Sequence, residues 1–454
     1  MNKPNIIFYF PDQQRADTLG CYGQRLDISP NLDRLAGEGV LFEEAYTAQP
    51  VCGPCRAIFQ SGKWPTDINC YRNALPLPSN VKTLADYFYE AGYETAYIGK
   101  WHLASERTSY DAPPIADYES CAIPLERRGG YRGFWRAADV LEATSHGYGG
   151  YVFDENMKKH AFDGYRVDCI TDYALEYLDQ YTGEKPFFMT ISHIEPHHQN
   201  DHGRYEGPAG SKERYCDFEL PGDLAALGGD AREMYPDYLG CCKSLDDNLG
   251  RLIEKIKEKG LYDNTIWVYA SDHGSHFKTR NKDEHMTGCD DYKRSCHSAC
   301  LKVPLVISGP GFHGGKRVPE LVSTCSLPKT FLAMARVDVG DRMIGEDLKT
   351  VADGLTSGRT NRIFAQISES RLGRCIRTEK YLYSVCAPDS DGWADGSSSI
   401  YVEDFLYDLK KDPYELNNLV KSPAYSTVRE ELASQLVEEM VKAGEEAPVI
   451  LPWE

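Results

Sequence analysis

Long apolar runs are missing from this chain of 454 residues. A membrane-spanning helix needs about 20 consecutive apolar residues, and no segment approaches that length. The apolar run Ile6 to Phe10 near the start is also too short for the core of a signal peptide. We therefore expect no membrane partner and, for the sequence as it stands, a cytoplasmic location.

An excess of positive charge is missing as well. Lysine and arginine number 50 and aspartate and glutamate number 69, which gives a net charge of −19. A protein with this charge is repelled by polyanions, so DNA, RNA and anionic membranes are disfavoured as partners. An anionic substrate would need cations that lie inside its own site.

The cysteines give no sign of a disulfide framework. There are 15 of them, an odd number, in a long chain whose 41% hydrophobic content suffices for an ordinary core. Cys241 and Cys242 lie in a segment of helical periodicity, where we expect them to pack as small apolar residues. Scattered reduced thiols are the expectation.

Apolar runs of strand length alternate with amphipathic segments of helix length. This alternation predicts an α/β fold whose mixed, largely parallel sheet is sandwiched by helices. The predicted strands are Asn5–Phe10, Thr95–Ile98, Phe187–His193, Thr265–Ala270 and Val303–Ile307, and the predicted helices are Asn31–Gly39, Val81–Gly92, Val167–Tyr181 and Met234–Gly260. Residues 104–165 and 199–232 have weak periodicity, which predicts long loops over the ligand-binding edge of the sheet.

The pattern changes near residue 350. Arg362–Ser368 and Lys380–Val385 are predicted as strands, and Val428–Ala443 is predicted as a closing helix. We interpret residues 1–350 as a catalytic α/β domain and residues 351–454 as a small C-terminal α+β subdomain.

Polar side chains follow several predicted strands at the point where each strand ends. Asp12 and Gln13 follow the first strand, His197 follows Phe187–His193 closely, and Asp272 and His273 come directly after Thr265–Ala270. The carboxyl ends of parallel strands meet at one edge of a sheet. Two carboxylates, an amide oxygen and an imidazole form a plausible site for one divalent metal. The alternative is that the aspartates cap the helices that follow.

A cysteine pair occurs at Cys52 and Cys55. Taken alone, the C-x-x-C spacing fits a redox pair or half of a zinc site. A zinc site needs a second pair of suitable spacing, and Cys241-Cys242 and Cys296-x3-Cys300 are poor candidates. A redox pair of the thioredoxin type would follow the first strand of a small domain, and this one does not.

The segment around these cysteines resembles a family motif. Cys52-Gly-Pro-Cys-Arg56, with Gly62 six residues after the arginine, resembles the C-x-P-x-R motif of the sulfatases. Other segments resemble that family in the same order along almost the whole chain: Asn5–Gly23, Gly99–Leu103 (GKWHL), Glu195–His197, Ser271–Gly274, Lys293 ahead of Val303-Pro304, and Phe405–Leu419. Each match is weak alone, and together they are specific.

The resemblance implies an alkaline-phosphatase-like fold and hydrolysis of a sulfate monoester to an alcohol and sulfate. In sulfatases a formylglycine-generating maturation enzyme oxidises the motif cysteine, here Cys52, to formylglycine. The hydrated aldehyde supplies an oxygen nucleophile, and its second hydroxyl lets sulfate leave by elimination. Arg56 would hold the loop and lower the pKa of the nucleophile. The expected substrate partner is a sulfated small molecule or saccharide, and family habit favours a carbohydrate.

The resemblance also implies that Asp12, Gln13, Asp272 and His273 hold one divalent metal. Gln13 stands where many sulfatases have a second Asp, and His273 stands where many have Asn. The site therefore carries less carboxylate charge and one softer ligand. Ca²⁺ is the expected ion, with Mg²⁺ and Mn²⁺ left open.

Substrate-binding residues follow in the same way. Lys100 and Lys293 would bind the sulfate oxygens, where charge gathers in the transition state. Asn73 would also touch the sulfate. His297, four residues after Lys293, is a candidate for substrate contact, with ordinary packing as the alternative.

Two histidines would move protons. His102 would contact the diol and take the proton that drives elimination, and His197 would protonate the leaving alcohol oxygen. Cys55 replaces the usual Ser of the motif, and a disulfide between Cys52 and Cys55 would abolish activity.

Two other functions stay open at this point. One is hydrolysis of a phosphonate monoester or phosphodiester, since relatives of that kind also carry Asp-Gln after the first strand. The other is a catalytically inactive, ligand-binding relative in which Cys52 stays unmodified. The 104–165 region contains four arginines that either recognise an acidic sugar or lie on the surface. We favour the surface interpretation for these four residues: Arg127, Arg128, Arg132 and Arg136.

Overall fold

A large mixed sheet forms the centre of the molecule. The computed structural model describes residues 3–109, 112–280 and 291–453. The strands of this sheet are β1 (Asn5–Phe10), β2 (Val40–Tyr46), β3 (Glu94–Lys100), β4 (Phe134–Ala138), β5 (Tyr148–Asp154), β6 (Lys159–Tyr165), β7 (Phe187–Ser192), β8 (Thr265–Ala270), β9 (Leu305–Ser308) and β10 (Lys316–Ser323). Their order in the sheet is β10-β2-β9-β8-β1-β7-β3-β4-β5-β6.

The five central strands, β8-β1-β7-β3-β4, are parallel to one another. Strands β1, β7 and β8 are buried along their whole length, which is why they consist of continuous apolar runs. Their carboxyl ends lie at one edge of the sheet. This edge carries most of the residues that the sequence predicts as functional.

Helices cover both faces of the sheet. The α-helices of the described residues are α1 (Pro30–Glu38), α2 (Cys52–Ser61), α3 (Leu84–Glu90), α4 (Leu141–Thr144), α5 (Arg166–Gln180), α6 (Ser211–Arg214), α7 (Gly222–Leu227), α8 (Ala231–Glu258), α9 (Ser298–Leu301), α10 (Leu327–Met334), α11 (Leu348–Ala352) and α12 (Ser426–Lys442). Along β1, Ile6 and Phe8 enter the core that includes α2, α3 and α10. Ile7 and Tyr9 enter the opposite core, beside α1, α5 and α8. This alternation is the period of two expected of a strand.

A second, smaller sheet follows in the C-terminal part of the chain. It contains β11 (Arg362–Ile367), β12 (Gly373–Thr378), β13 (Tyr381–Cys386), β14 (Ile400–Asp408) and β15 (Val449–Leu451) in sequence order. Helix α12 packs on this sheet through Leu432, Leu436 and Met440. The α/β prediction with a C-terminal α+β part is confirmed, and the division at residue 350 stays a prediction.

Two regions predicted as long loops contain regular elements: residues 199–232 include α6 and α7, and residues 104–165 include three strands. Residues 104–165 were expected to form a loop, whereas the structure adds β4, β5 and β6 to the large sheet in this region. Strand β6 is an antiparallel edge strand whose residues alternate between exposed and half-buried. An exposed edge strand needs few apolar residues, so its hydrophobic pattern is weak. Within the described ranges, no helix combines the length and the apolar character needed to span a bilayer.

Candidate active site

Side chains from four parallel strands converge at the carboxyl edge of the sheet. Asp12 follows β1, Lys100 ends β3, His197 follows β7, and Asp272 follows β8. Lys100 Nζ lies 3.0 Å from Asp12 Oδ2, and both side chains are fully buried. Asp12, His197 and Asp272 therefore lie where the strand-end rule expects them, and Lys100, which the family resemblance suggested, lies beside them.

Cys52 lies at the first residue of α2, facing this edge. Its Sγ lies 3.1 Å from Lys293 Nζ, 3.3 Å from His273 Nε2 and 3.4 Å from Asp12 Oδ1. Burial alone would raise the pKa of the Cys52 thiol, but Lys100 and Lys293 outweigh burial and hold that pKa well below its ordinary value. The site is therefore built to stabilise negative charge at the position of this side chain.

Helix α2 is anchored around Cys52. Gly53 N donates to Asn73 Oδ1 at 2.9 Å, so Asn73 fixes the first turn. The helix ends at Gly62, which has φ of +61°, and its N–H donates to Ile58 O. A glycine adopts this left-handed cap at little cost, which explains the glycine six residues after Arg56.

Cys55 points away from Cys52. Its Sγ donates to Asp272 O at 3.2 Å and lies 3.4 Å from Thr47 Oγ1. Burial raises the pKa of this thiol well above its ordinary value. Both cysteines are free, so the structure contains no disulfide between them. Cys55 is thus a buried residue whose thiol makes hydrogen bonds of its own.

Arg56 connects three of the strand ends. Its Nη1 donates to Lys100 O at 2.7 Å and to Ser192 Oγ at 2.6 Å, and its Nη2 donates to Asp12 Oδ2 at 3.0 Å. The guanidinium also lies over the ring of Phe10. Arg56 is buried, so it contributes to the site by fixing the positions of the groups that it hydrogen-bonds.

Three of the four predicted metal ligands lie together. Ligand atoms of Asp12, Asp272, His273 and Cys52 are all within 4.8 Å of one another. His273 Nδ1 contacts Gly274 O at 3.1 Å, which directs Nε2 toward the carboxylates. Orientation by a hydrogen bond on the far ring nitrogen is typical of a ligating histidine.

Gln13, the fourth predicted ligand, is held by backbone groups. Its Oε1 accepts a hydrogen bond from His198 N at 3.0 Å, and its Nε2 donates to Asp291 O at 2.8 Å. The amide oxygen has a second lone pair. Gln13 has φ of +68°, and its N–H donates to Asp272 Oδ1 at 3.0 Å.

The chemistry of Asp272 fits a cation at this position. Its Oδ2 is buried and has no hydrogen-bond partner among the described residues. Burial and the nearby Asp12 raise the pKa of Asp272 to about 6. A buried carboxylate oxygen that lacks a donor is costly unless a cation meets it. The donor set of two carboxylates, an imidazole and an amide oxygen therefore fits a divalent metal.

Lys293 and His197 face each other across the site. Lys293 Nζ lies 2.7 Å from His197 Nε2 and 2.8 Å from Asp291 Oδ2. Burial lowers the pKa of Lys293, but Asp291 and Cys52 more than offset it, so the group stays an ammonium. Burial and Lys293 lower the pKa of His197, while Asp12 and Asp291 raise it, with a net rise to about 10. Asp12 and Asp291 therefore favour the protonated form of His197.

His102 lies at the mouth of the site. Its backbone is in the left-handed region, with φ of +59°. Asp139 holds the loop after His102, because its carboxylate accepts hydrogen bonds from the N–H groups of Leu103, Ala104 and Ser105. His102 Nδ1 has no hydrogen-bond partner in the described part of the chain.

A cavity of about 600 Å³ opens onto these groups. Cys52, Asn73, His102, His197 and Lys293 all line it. The structure therefore brings together the residues predicted as the nucleophile, as the two proton-transfer histidines and as one of the sulfate-binding lysines. Lys100 lies deeper, 3.9 Å from Cys52 Sγ.

His297 does not lie in this cavity. Its Nδ1 bonds to Ser295 Oγ at 2.5 Å and its Nε2 to Tyr407 Oη at 3.1 Å, and its ring packs on Phe405. The expectation of substrate contact rested on the four-residue separation between Lys293 and His297. Arg294 has φ of +62° and α9 begins only at Ser298, so the four-residue spacing does not place the two side chains on one face.

Comparison with known families identifies the family of the chain. The sulfatase family model matches residues 4–337. The chain belongs to the sulfatase family. A second model, described as the C-terminal part of N-sulphoglucosamine sulphohydrolase, matches residues 288–442.

Two curated relatives of this sulfatase are named for activity on sulfated saccharides. It is 30% identical to an ulvan-active sulfatase of Formosa agariphila, over 98% of this chain and 82% of the relative. It is 27% identical to an N-acetylglucosamine-6-O-sulfatase of Bacteroides thetaiotaomicron, over 97% of this chain and 86% of the relative. The chain is thus a sulfatase enzyme by its homologues.

Solved structures show the same fold. A sulfatase structure from Bacteroides fragilis aligns with a TM-score of 0.80 at 24% identity, covering 98% of this chain and 96% of the other. A structure in complex with its substrate, D-glucosamine-2-N,6-O-disulfate, aligns with a TM-score of 0.76 at 23% identity, covering 98% of this chain and 99% of the other. Both neighbours show that this chain shares their mixed α/β fold over almost its whole length.

Several cavity residues of this sulfatase were missed by sequence reasoning. Arg107 pairs with Glu119 at 3.0 Å, and Trp393 lies against the guanidinium of Arg72. The others are Glu142 and Arg294. None belongs to a motif, and most lie in irregular segments where periodicity gives no signal.

The arginines singled out in the sequence do not line the cavity. Arg136 is buried and pairs with Glu155 at 2.8 Å and with Glu176 at 2.9 Å. Arg132 pairs with Asp86 at 3.0 Å. Arg127 donates to Ala104 O, and Arg128 donates to Ile123 O. Their role is therefore to hold the 104–165 region in place.

Proposed function

We propose that this sulfatase hydrolyses a sulfate monoester of a saccharide, using formylglycine formed from Cys52 and one divalent metal. The single observation that carries the proposal is the surroundings of Cys52 Sγ. Lys293, His273 and Asp12 lie within 3.1–3.4 Å of that atom. Cations and candidate metal ligands thus converge on the side chain that the family motif designates as the nucleophile.

The metal would be held by Asp12, Asp272 and His273, with Gln13 offering its amide oxygen. Ca²⁺ suits these mostly oxygen donors, and the imidazole leaves Mg²⁺ and Mn²⁺ open. When bound, such an ion supplies positive charge that stabilises the anionic oxygens of a sulfate ester. The unpartnered Oδ2 of Asp272 supports this assignment.

The chain's own cations would hold the sulfate group. Lys293 Nζ lies 3.1 Å and Lys100 Nζ 3.9 Å from Cys52 Sγ, so both reach oxygens of an ester placed against this side chain. Arg56 fixes Lys100 through its carbonyl and fixes Asp12 through an ion pair. Prepositioned charges of this kind stabilise a transition state without reorganisation.

Proton transfer would fall to the two cavity histidines. His197 Nε2 would donate a proton to the leaving alcohol oxygen, since Asp12 and Asp291 favour its protonated form. Its Nδ1 contacts His198 O at 2.6 Å, which fixes the ring orientation. His102 would accept a proton at the position of Cys52, because both residues line the same cavity.

The substrate and the maturation partner follow from the same site. Saccharide sulfates are favoured because curated relatives carry such names. A formylglycine-generating enzyme is required as a partner, since the chain itself supplies only a thiol at position 52. The chemical role of that thiol position is to present an oxygen nucleophile once it has been oxidised.

Mass spectrometry of the tryptic peptide that contains Cys52 tests the modification directly. Replacement of the thiol by an aldehyde is the expected result. Rates on 4-nitrophenyl sulfate and on a 4-nitrophenyl phosphonate monoester then test the substrate class, and faster sulfate cleavage is expected. An unmodified thiol in a protein without activity would instead support the inactive, ligand-binding relative. Faster cleavage of the phosphonate would support the phosphonate monoester or phosphodiester hydrolase.

A further inference from the structure

Glu142 is a carboxylate inside a cavity that binds an anion in the proposed function. It lies on α4, just after β4. Its Oε1 accepts a hydrogen bond from Lys100 Nζ at 3.2 Å. Its Oε2 is buried and has no hydrogen-bond partner among the described residues.

The position of Glu142 is unfavourable without a ligand. Burial would raise its pKa, but Lys100 and His197 lower it, so the group is ionised and accepts hydrogen bonds only. A buried, ionised oxygen without a donor is costly. Its neighbours in the cavity include His102 and His197, the groups that would flank the ester oxygen.

We propose that Glu142 Oε2 accepts a hydrogen bond from a substrate hydroxyl that neighbours the sulfate ester. This inference rests on the proposed function. Lys100 contacts Glu142 Oε1 at 3.2 Å and Cys52 Sγ at 3.9 Å, so it lies between the carboxylate and the sulfate position. An ester held by Lys100 brings its neighbouring carbon atoms toward Oε2. A site with a buried acceptor rejects ligands that lack the donor.

A pair of simple ligands isolates this contact. Trans-2-hydroxycyclohexyl sulfate and cyclohexyl sulfate differ only in the neighbouring hydroxyl. Each is tested as a competitive inhibitor of 4-nitrophenyl sulfate hydrolysis by the mature enzyme. The hydroxylated ligand is expected to bind at least tenfold more tightly to the wild type. Glu142→Ala is expected to reduce that ratio to about one, by the usual loss of a hydrogen-bond acceptor.

The matched control is Glu155→Ala, which removes a carboxylate that pairs with Arg136 away from the cavity. This variant is expected to keep the tenfold ratio. Equal inhibition constants for the two ligands in the wild type overturn the inference, and so does an unchanged ratio in Glu142→Ala. Failure of the mature enzyme to cleave 4-nitrophenyl sulfate would instead remove the proposed function itself, so the two failures are distinguishable.

A second cluster lies outside the cavity and consists of His146, Asp201 and His202. His146 Nε2 lies 2.8 Å from Asp201 Oδ2. The rings of His146 and His202 are nearly parallel, with centroids 4.2 Å apart. One potential ligand atom from each of the three residues lies within 4.8 Å of the others.

Glu206 orients His202 by contacting the ring nitrogen Nδ1, which is not the proposed ligand atom. Its Oε1 lies 2.5 Å from His202 Nδ1, and its Oε2 accepts from Gly147 N at 2.7 Å. A hydrogen bond from Nδ1 to a carboxylate leaves the lone pair on Nε2. Ligating histidines are typically oriented by a carboxylate in this way.

We infer that His146, Asp201 and His202 bind Zn²⁺. Two imidazoles and one carboxylate are a common zinc ligand set, with water at the fourth position. The ion would join the segment after α4 to the segment that follows His197. Gln199 already links them, because its Nε2 donates to Glu142 O at 3.3 Å and to Asp201 Oδ1 at 2.7 Å.

Zinc uptake by the mature, Ca²⁺-saturated enzyme tests this site. Bound zinc is measured by elemental analysis after desalting, for the wild type, His146→Ala and His202→Ala. Each variant is expected to retain about one zinc fewer than the wild type. His160→Ala is the matched control, because His160 Nε2 also lies 2.8 Å from a carboxylate, that of Asp154, but outside the three-residue cluster. Equal zinc content in all four proteins, or an equal loss in the control, overturns the inference.

Discussion

Arg56 and Asp12 form an ion pair that is almost completely buried, with 3.0 Å between Nη2 and Oδ2. The pair joins helix α2 to the end of β1. It therefore connects the segment that carries Cys52 to the first of the candidate metal ligands. Removal of Arg56 breaks this buried pair, leaves Lys100 as the other cation beside Asp12, and removes the donor to Lys100 O.

Replacement of Arg56 tests how much this pair contributes to the stability of the fold. Arg56→Ala is expected to lower the free energy of unfolding by about 3–5 kcal/mol, as is usual for a broken buried pair. Urea denaturation of the metal-free protein measures the change. Arg25→Ala breaks an exposed pair with Glu219 and is expected to cost no more than about 1 kcal/mol. Similar losses in both variants would contradict this account.

Replacement of Cys52 tests the nucleophile. Cys52→Ala is expected to fold normally and to lose nearly all turnover of 4-nitrophenyl sulfate, because no attacking oxygen remains. Cys55→Ser is the control, since a serine hydroxyl can make the same hydrogen bond to Asp272 O. It is expected to stay active. Activity of the alanine variant comparable to wild type would falsify the formylglycine mechanism.

The carboxylates that would hold the metal can be tested by elemental analysis. Asp12→Ala and Asp272→Ala are each expected to lose the bound ion and most activity, because the set already includes two neutral ligands, Gln13 and His273. Undiminished metal in both purified variants would mean that the aspartates serve only as structural caps. Glu415→Ala, a buried acidic position outside the cavity, controls for general loss of structure.

His197 is tested by the basicity of the leaving group. General acid catalysis contributes about 10²–10⁴-fold when the leaving oxygen needs a proton. His197→Ala is therefore expected to slow hydrolysis of sugar and alkyl sulfates far more than hydrolysis of 4-nitrophenyl sulfate, whose leaving group is a stable phenolate. His102→Ala is expected to slow all substrates to a similar extent, since its proton comes from the enzyme. Equal losses for His197→Ala across a series of leaving-group pKa values would remove its role as the acid.

The buried His193 is expected to make the free energy of unfolding decrease at acidic pH. Burial, with a smaller effect from Arg166, lowers the pKa of His193 to about 3. The unfolded chain therefore binds a proton that the folded protein does not bind between about pH 6.5 and 3. The stability from this neutral residue is complete above pH 6.5 and is lost as pH falls, by up to about 1.4 kcal/mol per pH unit. His193→Phe is expected to flatten this slope in urea denaturation, whereas the exposed His313→Phe is expected to retain it.

Much of the site could be predicted because strand ends are visible in sequence. The bounds of β1 and β8 match the predicted strands, and Asp12 and Asp272 follow from them. Glu142 could not be predicted in this way. It follows a five-residue strand, β4, within a region of weak periodicity, and no motif marks it. Its importance arises only from its contact with Lys100, which is 42 residues away in sequence.

The burial of helix α2 restricts when Cys52 can be oxidised. Every residue of α2 is buried, and Cys52 itself is only 1% exposed. An oxidising enzyme must enclose the segment that it modifies, and a helix packed on all sides cannot be enclosed. In the proposed mechanism, the oxidation of Cys52 would therefore take place between synthesis of the segment and closure of the sheet around it. A chain that folds before oxidation would be stable but permanently inactive. The active fraction of a preparation would therefore depend on the rate of Cys52 oxidation relative to the rate of folding.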